Sequence, residues 1–318
     1  MKSIHRRRFV QLVTTAPIGI WLMPWLARAQ ECSLEHPYKP PRKEFSGQCP
    51  VCGMLRAMWA RTWITFDPYM NVSQVCSFHC LADWIHKSGA APSNVRLALY
   101  HEPQKMIPAE TAVIVMGSSA AGTMSPVSKI VFADKRKAAD FAAACGGTVI
   151  DYARAIAEAG AGVSRENKMI NTRRLKKGVI VEPSDQDRCP VCEMFPTRYP
   201  YGKCQIRTGQ GKVLHFCSTQ CLFAFLGNQT HYVRTAVKPN VIWVVDRPSG
   251  MWISGRGAFF VIGSTRVFGP MGFEAFPFST LKDAQDFAAR NGGRAVGFEQ
   301  VSIDKIVPHW KYRAHPPG

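Results

Sequence analysis

The sequence is poor in acidic residues and has no apolar run long enough to cross a membrane. Of its 318 residues, 40 are Lys or Arg and only 22 are Asp or Glu, so the formal net charge is +18. The apolar stretch at residues 13–26 is broken by Pro17 and Pro24, whereas a transmembrane helix needs about 20 residues. No Ser-His-Asp order, paired acids or phosphate-binding glycine loop stands out, so the sequence does not indicate an enzyme.

The N-terminus instead has the three parts of an export signal. Three arginines at residues 6–8 precede the apolar stretch, and Ala-Arg-Ala at residues 27–29 provides a small-x-small cleavage site. Residues 6–11 resemble the twin-arginine motif, which implies that the chain is exported in the folded state. We therefore expect residues 1–29 to be a signal peptide and the protein to be periplasmic. Because no lipobox precedes Cys32, we expect no stable membrane anchor.

The composition is that of a packed globular protein. Hydrophobic residues make up 46% of the chain and charged residues 19%, and the length suits two ordinary domains. The basic residues are scattered in short runs, such as those at residues 173–174 and 176–177. An exported protein of this kind is not expected to bind nucleic acid, although a basic surface could contact an acidic partner.

A set of sulfur-containing residues occurs twice in the same order. The first set consists of Cys49, Cys52, Met54, Cys76 and Cys80, and the second of Cys189, Cys192, Met194, Cys217 and Cys221. The shared order continues to the glycine pairs at residues 146–147 and 292–293. The sequence therefore predicts a tandem duplication, with domains at residues 45–160 and 186–308 and a linker at residues 161–185.

Each copy has the pattern of two β-β-α-β modules. In the first copy we predict strands at residues 62–66, 72–75, 95–99, 112–116, 129–132 and 148–150. Ser77 and Asp134 are predicted N-caps of the helices between them, Thr280 is a predicted N-cap in the second copy, and Gly146 and Gly292 are predicted helix stops. Helices on small, mostly antiparallel sheets indicate the α+β class.

The paired cysteine motifs, C-x2-C followed by C-x3-C, allow three kinds of chemistry. Four cysteines could form a structural zinc knuckle, which needs no methionine. A CPVC pair could be a thiol oxidoreductase motif, but such a motif should follow a strand and open a helix. Thiolate together with thioether favours copper(I), a soft ion. Because Met54 and Met194 recur beside the cysteines, we favour copper(I), with zinc as the alternative metal.

Several of these motifs together resemble the NosL family of nitrous oxide reductase accessory proteins. The motifs are CPVCGM at 49–54, CPVCEM at 189–194, FCSTQC at 216–221, the apolar block at 251–263 and GPMG at 269–272. The resemblance implies a periplasmic copper(I) metallochaperone for denitrification, built from paired β-β-α-β modules. Its partner would be nitrous oxide reductase or another periplasmic copper enzyme. The cysteine spacing also resembles treble-clef TRASH modules.

The resemblance implies particular ligand candidates, and one group of cysteines stays ambiguous. The implied metal ligands are Cys49, Cys52, Met54, Cys189, Cys192, Met194 and Met271, with Met124 as the weaker counterpart of Met271. Sequence alone leaves open whether Cys76, Cys80, Cys217 and Cys221 complete four-sulfur sites or form disulfides. We expect each copy to bind about one copper(I), with the second copy as the better site.

A few further residues have no firm assignment from the sequence. His79 and His215 lie close to the C-x3-C motifs and could each supply an imidazole ligand. Cys32, Cys145 and Cys204 have no counterpart in the other copy. We interpret these three cysteines as incidental to the metal chemistry.

Overall fold

The structure is a computed structural model, and it describes residue 32 and residues 43–70 and 72–312. The expected signal peptide at residues 1–29 lies outside the described residues. Within the described part of the chain, no helix combines the length and the apolar character needed to cross a membrane.

The first copy consists of two small antiparallel sheets, each with a helix beside it. Its first half contains α1 (Arg56–Trp59), β1 (Ile64–Tyr69), β2 (Val72–Val75), α2 (Phe78–Ser88), β3 (Arg96–Ala98) and β4 (Met106–Pro108), with strand order β2-β1-β3-β4. Its second half contains β5 (Val113–Met116), β6 (Lys129–Phe132), α3 (Lys135–Cys145) and β7 (Thr148–Ile150), with strand order β6-β5-β7. A long helix, α4 (Tyr152–Lys176), follows.

The second copy repeats this arrangement. Its first half contains β8 (Cys204–Thr208), β9 (Val213–Phe216), α5 (Thr219–Gly227), β10 (Pro239–Val245) and β11 (Trp252–Ser254), with strand order β11-β10-β8-β9. Its second half contains β12 (Phe259–Ile262), β13 (Phe276–Phe278), α6 (Leu281–Asn291) and β14 (Arg294–Gly297), in the order β13-β12-β14, and α7 (Ile303–Ile306) follows. The predicted α+β class and the doubled β-β-α-β modules are confirmed.

The predicted helix starts are correct because each is encoded by a local hydrogen bond. The Ser77 hydroxyl accepts from the Cys80 N–H at 3.3 Å, and the Asp134 carboxylate accepts from the Lys137 N–H at 2.9 Å. The first predicted strand is displaced, since residues 60–62 form a 3-10 turn that the Trp63 N–H closes on the Ala60 carbonyl at 3.3 Å.

The predicted linker at residues 161–185 needs correction, because its first part is the C-terminal portion of α4. Asp151 caps this helix by accepting from the Arg154 N–H at 2.8 Å. Gly160 and Gly162, which suggested flexibility, lie inside the helix, and Gly162 leaves space beside the Glu166 carboxylate. The chain after α4 is also packed, since Ile180 is buried in the core of the second copy.

A buried polar cluster attaches α4 to α2. His79 Nδ1 lies 2.5 Å from Glu166 Oε2, and His79 Nε2 lies 3.2 Å from Asn167 Oδ1. The Ser125 hydroxyl donates to the other Glu166 oxygen at 2.7 Å. Both nitrogens of the imidazole are therefore engaged in joining two helices, so His79 is not placed as a metal ligand.

Two cysteines interpreted as incidental are in fact bonded to each other. Cys32 and Cys145 form a disulfide. It joins Cys32, which lies N-terminal to the first copy, to the last residue of α3. Sequence reasoning missed this pair because 113 residues separate its members and neither has a counterpart in the second copy. Cys204 is a free, buried thiol on β8 and donates to the Gly202 carbonyl at 3.2 Å.

The contact between α2 and α4 allows a prediction about stability. We expect Glu166→Ala to lower the free energy of unfolding by about 2–4 kcal/mol, because it leaves the buried His79 and Ser125 groups without their acceptor. The measurement is urea denaturation. Glu158→Ala is the matched control on the same helix, since Glu158 makes an exposed ion pair with Arg154 at 2.7 Å, and it should change stability by less than about 1 kcal/mol. Equal effects would contradict a structural role for the cluster.

Candidate metal centres

Four cysteine sulfurs converge in each copy. The first group consists of Cys49, Cys52, Cys76 and Cys80, and the second of Cys189, Cys192, Cys217 and Cys221. Within each group the sulfurs lie within 4.8 Å of one another, and all are free thiols. Neighbouring sulfurs are separated by 3.4 and 3.6 Å in the first group and by 3.3 to 3.8 Å in the second. A tetrahedral four-thiolate zinc ion separates its sulfurs by about 3.8 Å, so both groups have the dimensions of a metal site.

The sequence left open whether the C-x3-C cysteines complete four-sulfur sites or form disulfides. They lie beside the CPVC pairs as free thiols. In the first copy, Cys76 directly follows β2 and Cys80 lies in the first turn of α2. The second copy places Cys217 directly after β9 and Cys221 in the first turn of α5. A strand end and a helix start therefore bring two sulfurs together in each copy.

Each CPVC motif forms a tight turn that supplies the other two sulfurs. The Cys49 N–H donates to the Met54 carbonyl at 2.8 Å, and the Cys189 N–H donates to the Met194 carbonyl at 2.9 Å. We call residues 49–54 and 189–194 the first and second knuckles. Residue 53 of the first knuckle is Gly with φ +82°, and residue 193 of the second is Glu with φ +62°. A thioredoxin-like redox motif is expected to open a helix, and neither CPVC pair does so.

The electrostatics of each group favour a bound cation. In the first group, hydrogen bonds from the neighbouring thiols lower the pKa of Cys49 despite its burial. Burial, followed by the interactions with Cys49 and Cys52, raises the pKa of Cys80 well above its ordinary value. One thiol therefore ionises readily, and the next resists because a second negative charge would be buried beside the first. A soft metal ion removes this conflict by neutralising the thiolates.

The four candidate methionines pack against the cores in which the cysteine groups are buried. Met54 and Met124 pack against the core that contains the first four cysteines. Met194 and Met271 pack in the same way against the core that contains Cys189, Cys217 and Cys221. All four are partly buried at the core that contains the cysteine group of their own copy.

The GPMG loop that carries Met271 is held in place by buried polar contacts. The Gly269 N–H donates to the Gly272 carbonyl at 2.7 Å. A Cβ at Gly269 would collide with the Glu274 carboxylate, and Gly272 has φ +94°. Glu274 in turn accepts a hydrogen bond from the Gln220 N–H at 2.7 Å at the start of α5. The loop is thereby fixed to the helix that carries Cys221, a contact that sequence reasoning did not identify.

The two candidate histidines are not brought into the cysteine groups. Among the described residues, the groups that gather three or more cysteine, histidine or acidic ligand atoms contain cysteine only. His215 lies on β9, is buried, and has a pKa that burial lowers. Its strand partner is Gln205. Both histidines therefore belong to the fold around the metal centres.

The sequence model of the NosL family matches this chain twice, at residues 44–159 and 180–306. The chain belongs to the NosL family. One match falls on each copy, so the tandem duplication predicted from the repeated sulfur residues is confirmed. A comparison with curated protein sequences finds no match.

Two solved NosL structures correspond in length to one copy each. The crystal structure of the copper chaperone NosL from Shewanella denitrificans is 32% identical and covers 39% of this chain and 95% of its own, with a TM-score of 0.34. The solution NMR structure of apo-NosL from Achromobacter cycloclastes is 23% identical and covers 34% of this chain and 94% of its own, with a TM-score of 0.26.

Glu274 generates a pH-dependent prediction. Burial raises its pKa from 4.5 to about 7, although hydrogen bonds from Thr219 and Gln220 oppose the shift. Between these two pH values the folded protein keeps a proton that the unfolded chain has lost. The contribution of protonated Glu274 to the free energy of unfolding is therefore complete below the pKa of the unfolded chain. It is lost as the pH rises through the pKa of the folded protein.

We expect the free energy of unfolding of the reduced, metal-free protein to fall between pH 5 and 8. The part due to Glu274 is on the order of 3 kcal/mol, and Glu274→Gln should remove it. Urea denaturation of wild type and variant at both pH values measures the difference. Parallel pH profiles for the two proteins would show that Glu274 does not carry this linkage.

Proposed function

We propose that this protein is a periplasmic copper(I) carrier that assists assembly of the copper-sulfur cluster of nitrous oxide reductase. The observation that carries the proposal is the convergence of four thiols in each copy of a chain that belongs to the NosL family, with candidate methionines packed against the same cores. A related NosL protein, from Shewanella denitrificans, is a copper chaperone. The role is one of binding and transfer, with no chemical conversion of a substrate.

The donor set favours copper(I) as the cargo. Thiolate and thioether sulfurs are soft ligands and select copper(I) over harder ions. A structural zinc site would use the four cysteines and would leave Met194 and Met271 without a metal-related role. The second copy contains both kinds of sulfur, and its GPMG loop is linked to α5 through Glu274, which accepts from the Gln220 N–H.

Transfer requires a ligand that solvent and a partner can reach. Cys192 is partly exposed, whereas the other three cysteines of the second group are buried. An acceptor ligand can therefore approach the copper(I) ion on the side of Cys192. As the Cys192 thiolate leaves, the thioethers of Met194 and Met271 can keep the ion from escaping into solution. The net charge, +18 for the whole chain and +13 without the expected signal peptide at residues 1–29, would favour an acidic docking surface on the acceptor.

The thioethers provide a direct test of copper(I) binding. We expect Met271→Leu and Met194→Leu each to weaken copper(I) binding about tenfold, which corresponds to about 1.4 kcal/mol. The substitution keeps volume and removes only the soft donor. The measurement is anaerobic titration of the reduced protein against a chromogenic copper(I) chelator. Met251→Leu is the control, because Met251 is exposed in the turn between β10 and β11. Affinity that is unchanged in both test variants would contradict thioether coordination.

The client can be tested in cells that make nitrous oxide reductase. A strain without this protein should accumulate reductase that is deficient in its copper-sulfur cluster, as measured by copper content and visible absorption of the purified enzyme. Restoring the wild-type gene should restore the cluster, and restoring the Cys189→Ser, Cys192→Ser double variant should not. Full assembly of the cluster in the deletion strain would refute nitrous oxide reductase as the client.

A further inference from the structure

We propose that the two cysteine groups have different metals and different tasks. The first group retains a zinc ion that holds the two copies together, and the second group exchanges copper(I). This inference rests on the proposed function for the second group only. It comes from the different surroundings of two knuckles whose sequences differ at residues 53 and 193.

The carbonyl groups of the first knuckle are bound by residues outside it. The Pro50 carbonyl accepts from the Ser254 hydroxyl of the second copy at 2.6 Å. The Cys52 carbonyl accepts from the Arg174 guanidinium at 3.3 Å, and this guanidinium lies 4.6 Å from the ring of Trp243 on β10. The first knuckle is thus fixed both to α4 and to the second copy.

Two glycines at this contact lie where a side chain would meet atoms of the other copy. A Cβ at Gly53 would lie 2.9 Å from a Val241 methyl group on β10. A Cβ at Gly257 would lie 2.8 Å from the Pro50 carbonyl oxygen. Such distances leave no space for a larger residue without moving the two copies apart.

The second knuckle has an open environment. Its hydrogen bonds in the described part of the chain stay within its own copy, as when Arg188 donates to the Glu193 carbonyl at 3.2 Å. Glu193, at the position of Gly53, is exposed, and Cys192 is partly exposed, whereas Cys52 is only 6% exposed. Ligand exchange at the second group therefore does not require the copies to separate.

Charges near the first group fit a retained four-thiolate zinc ion. Four thiolates and one zinc ion carry a net charge of −2. Cys52 and Met54 line a cleft of about 560 Å³ together with Arg173, Arg174 and Lys177. These cations offset the negative charge of the complex. A buried, closed set of four cysteines is the usual ligand set of structural zinc.

Metal retention tests the assignment. The reduced chain is loaded with zinc, challenged with EDTA, and titrated with copper(I) buffered by a chromogenic chelator. We expect wild type to keep about one zinc and to exchange about one copper(I) per chain. Cys52→Ser with Cys76→Ser should lose the zinc and the rise in melting temperature that zinc causes. The matched double variant, Cys192→Ser with Cys217→Ser, should keep the zinc and the zinc-dependent rise in melting temperature. It should lose exchangeable copper(I).

Two further variants, which swap the residues at positions 53 and 193, keep the test valid if a cysteine variant fails to fold. Gly53→Glu should speed zinc release by on the order of tenfold, because it opens the contact with Val241. Glu193→Gly should leave the rate of zinc release from the first group unchanged, because residue 193 does not contact that group. Equal zinc release from both groups, or equal copper(I) exchange by both, would overturn the division of tasks. Retention of zinc without any copper(I) binding would instead refute the proposed function and leave the zinc assignment standing.

Discussion

The convergence of four cysteine sulfurs in each half of the chain is the constraint on which the rest of the structure depends. Buried thiols this close together cannot all ionise unless a cation neutralises them. The surrounding elements are arranged to hold the sulfurs at that spacing. A turn closed on a methionine carbonyl supplies two sulfurs, the end of a strand supplies the third, and the first turn of a capped helix supplies the fourth. The sheets and helices form the frame for this geometry.

The two copies of this frame surround their cysteine groups differently. The helix after the first copy, α4, packs against α2 through a buried cluster around Glu166, and its Arg174 bridges the first knuckle and Trp243. The first cysteine group therefore lies at the contact between copies, whereas the second group includes the partly exposed Cys192. Two sites of nearly identical sequence thereby acquire different access to partners, which is the physical basis for separating retention from transfer.

The successes and errors of sequence reasoning follow from the range of each interaction. Ser77 and Asp134 were identified as caps because the group that each one caps is three residues away. The helix α4 was missed because Gly160 and Gly162 suggested a flexible segment. Its persistence depends on tertiary contacts that the sequence does not reveal, such as the burial of Glu166 against His79. The disulfide between Cys32 and Cys145 spans 113 residues, so no local pattern could reveal it.

The sequence by itself determined the duplication, the α+β modules, the repeated sulfur residues and membership in a copper-related family. These properties are carried by spacing and periodicity, which the chain contains before it folds. Only the tertiary structure decided that the C-x3-C cysteines join the CPVC pairs, and that His79 serves a helix contact. It also decided the difference between the knuckles. Gly53 and Glu193 both have positive φ, but only at Gly53 does a strand of the other copy occupy the space of a side chain.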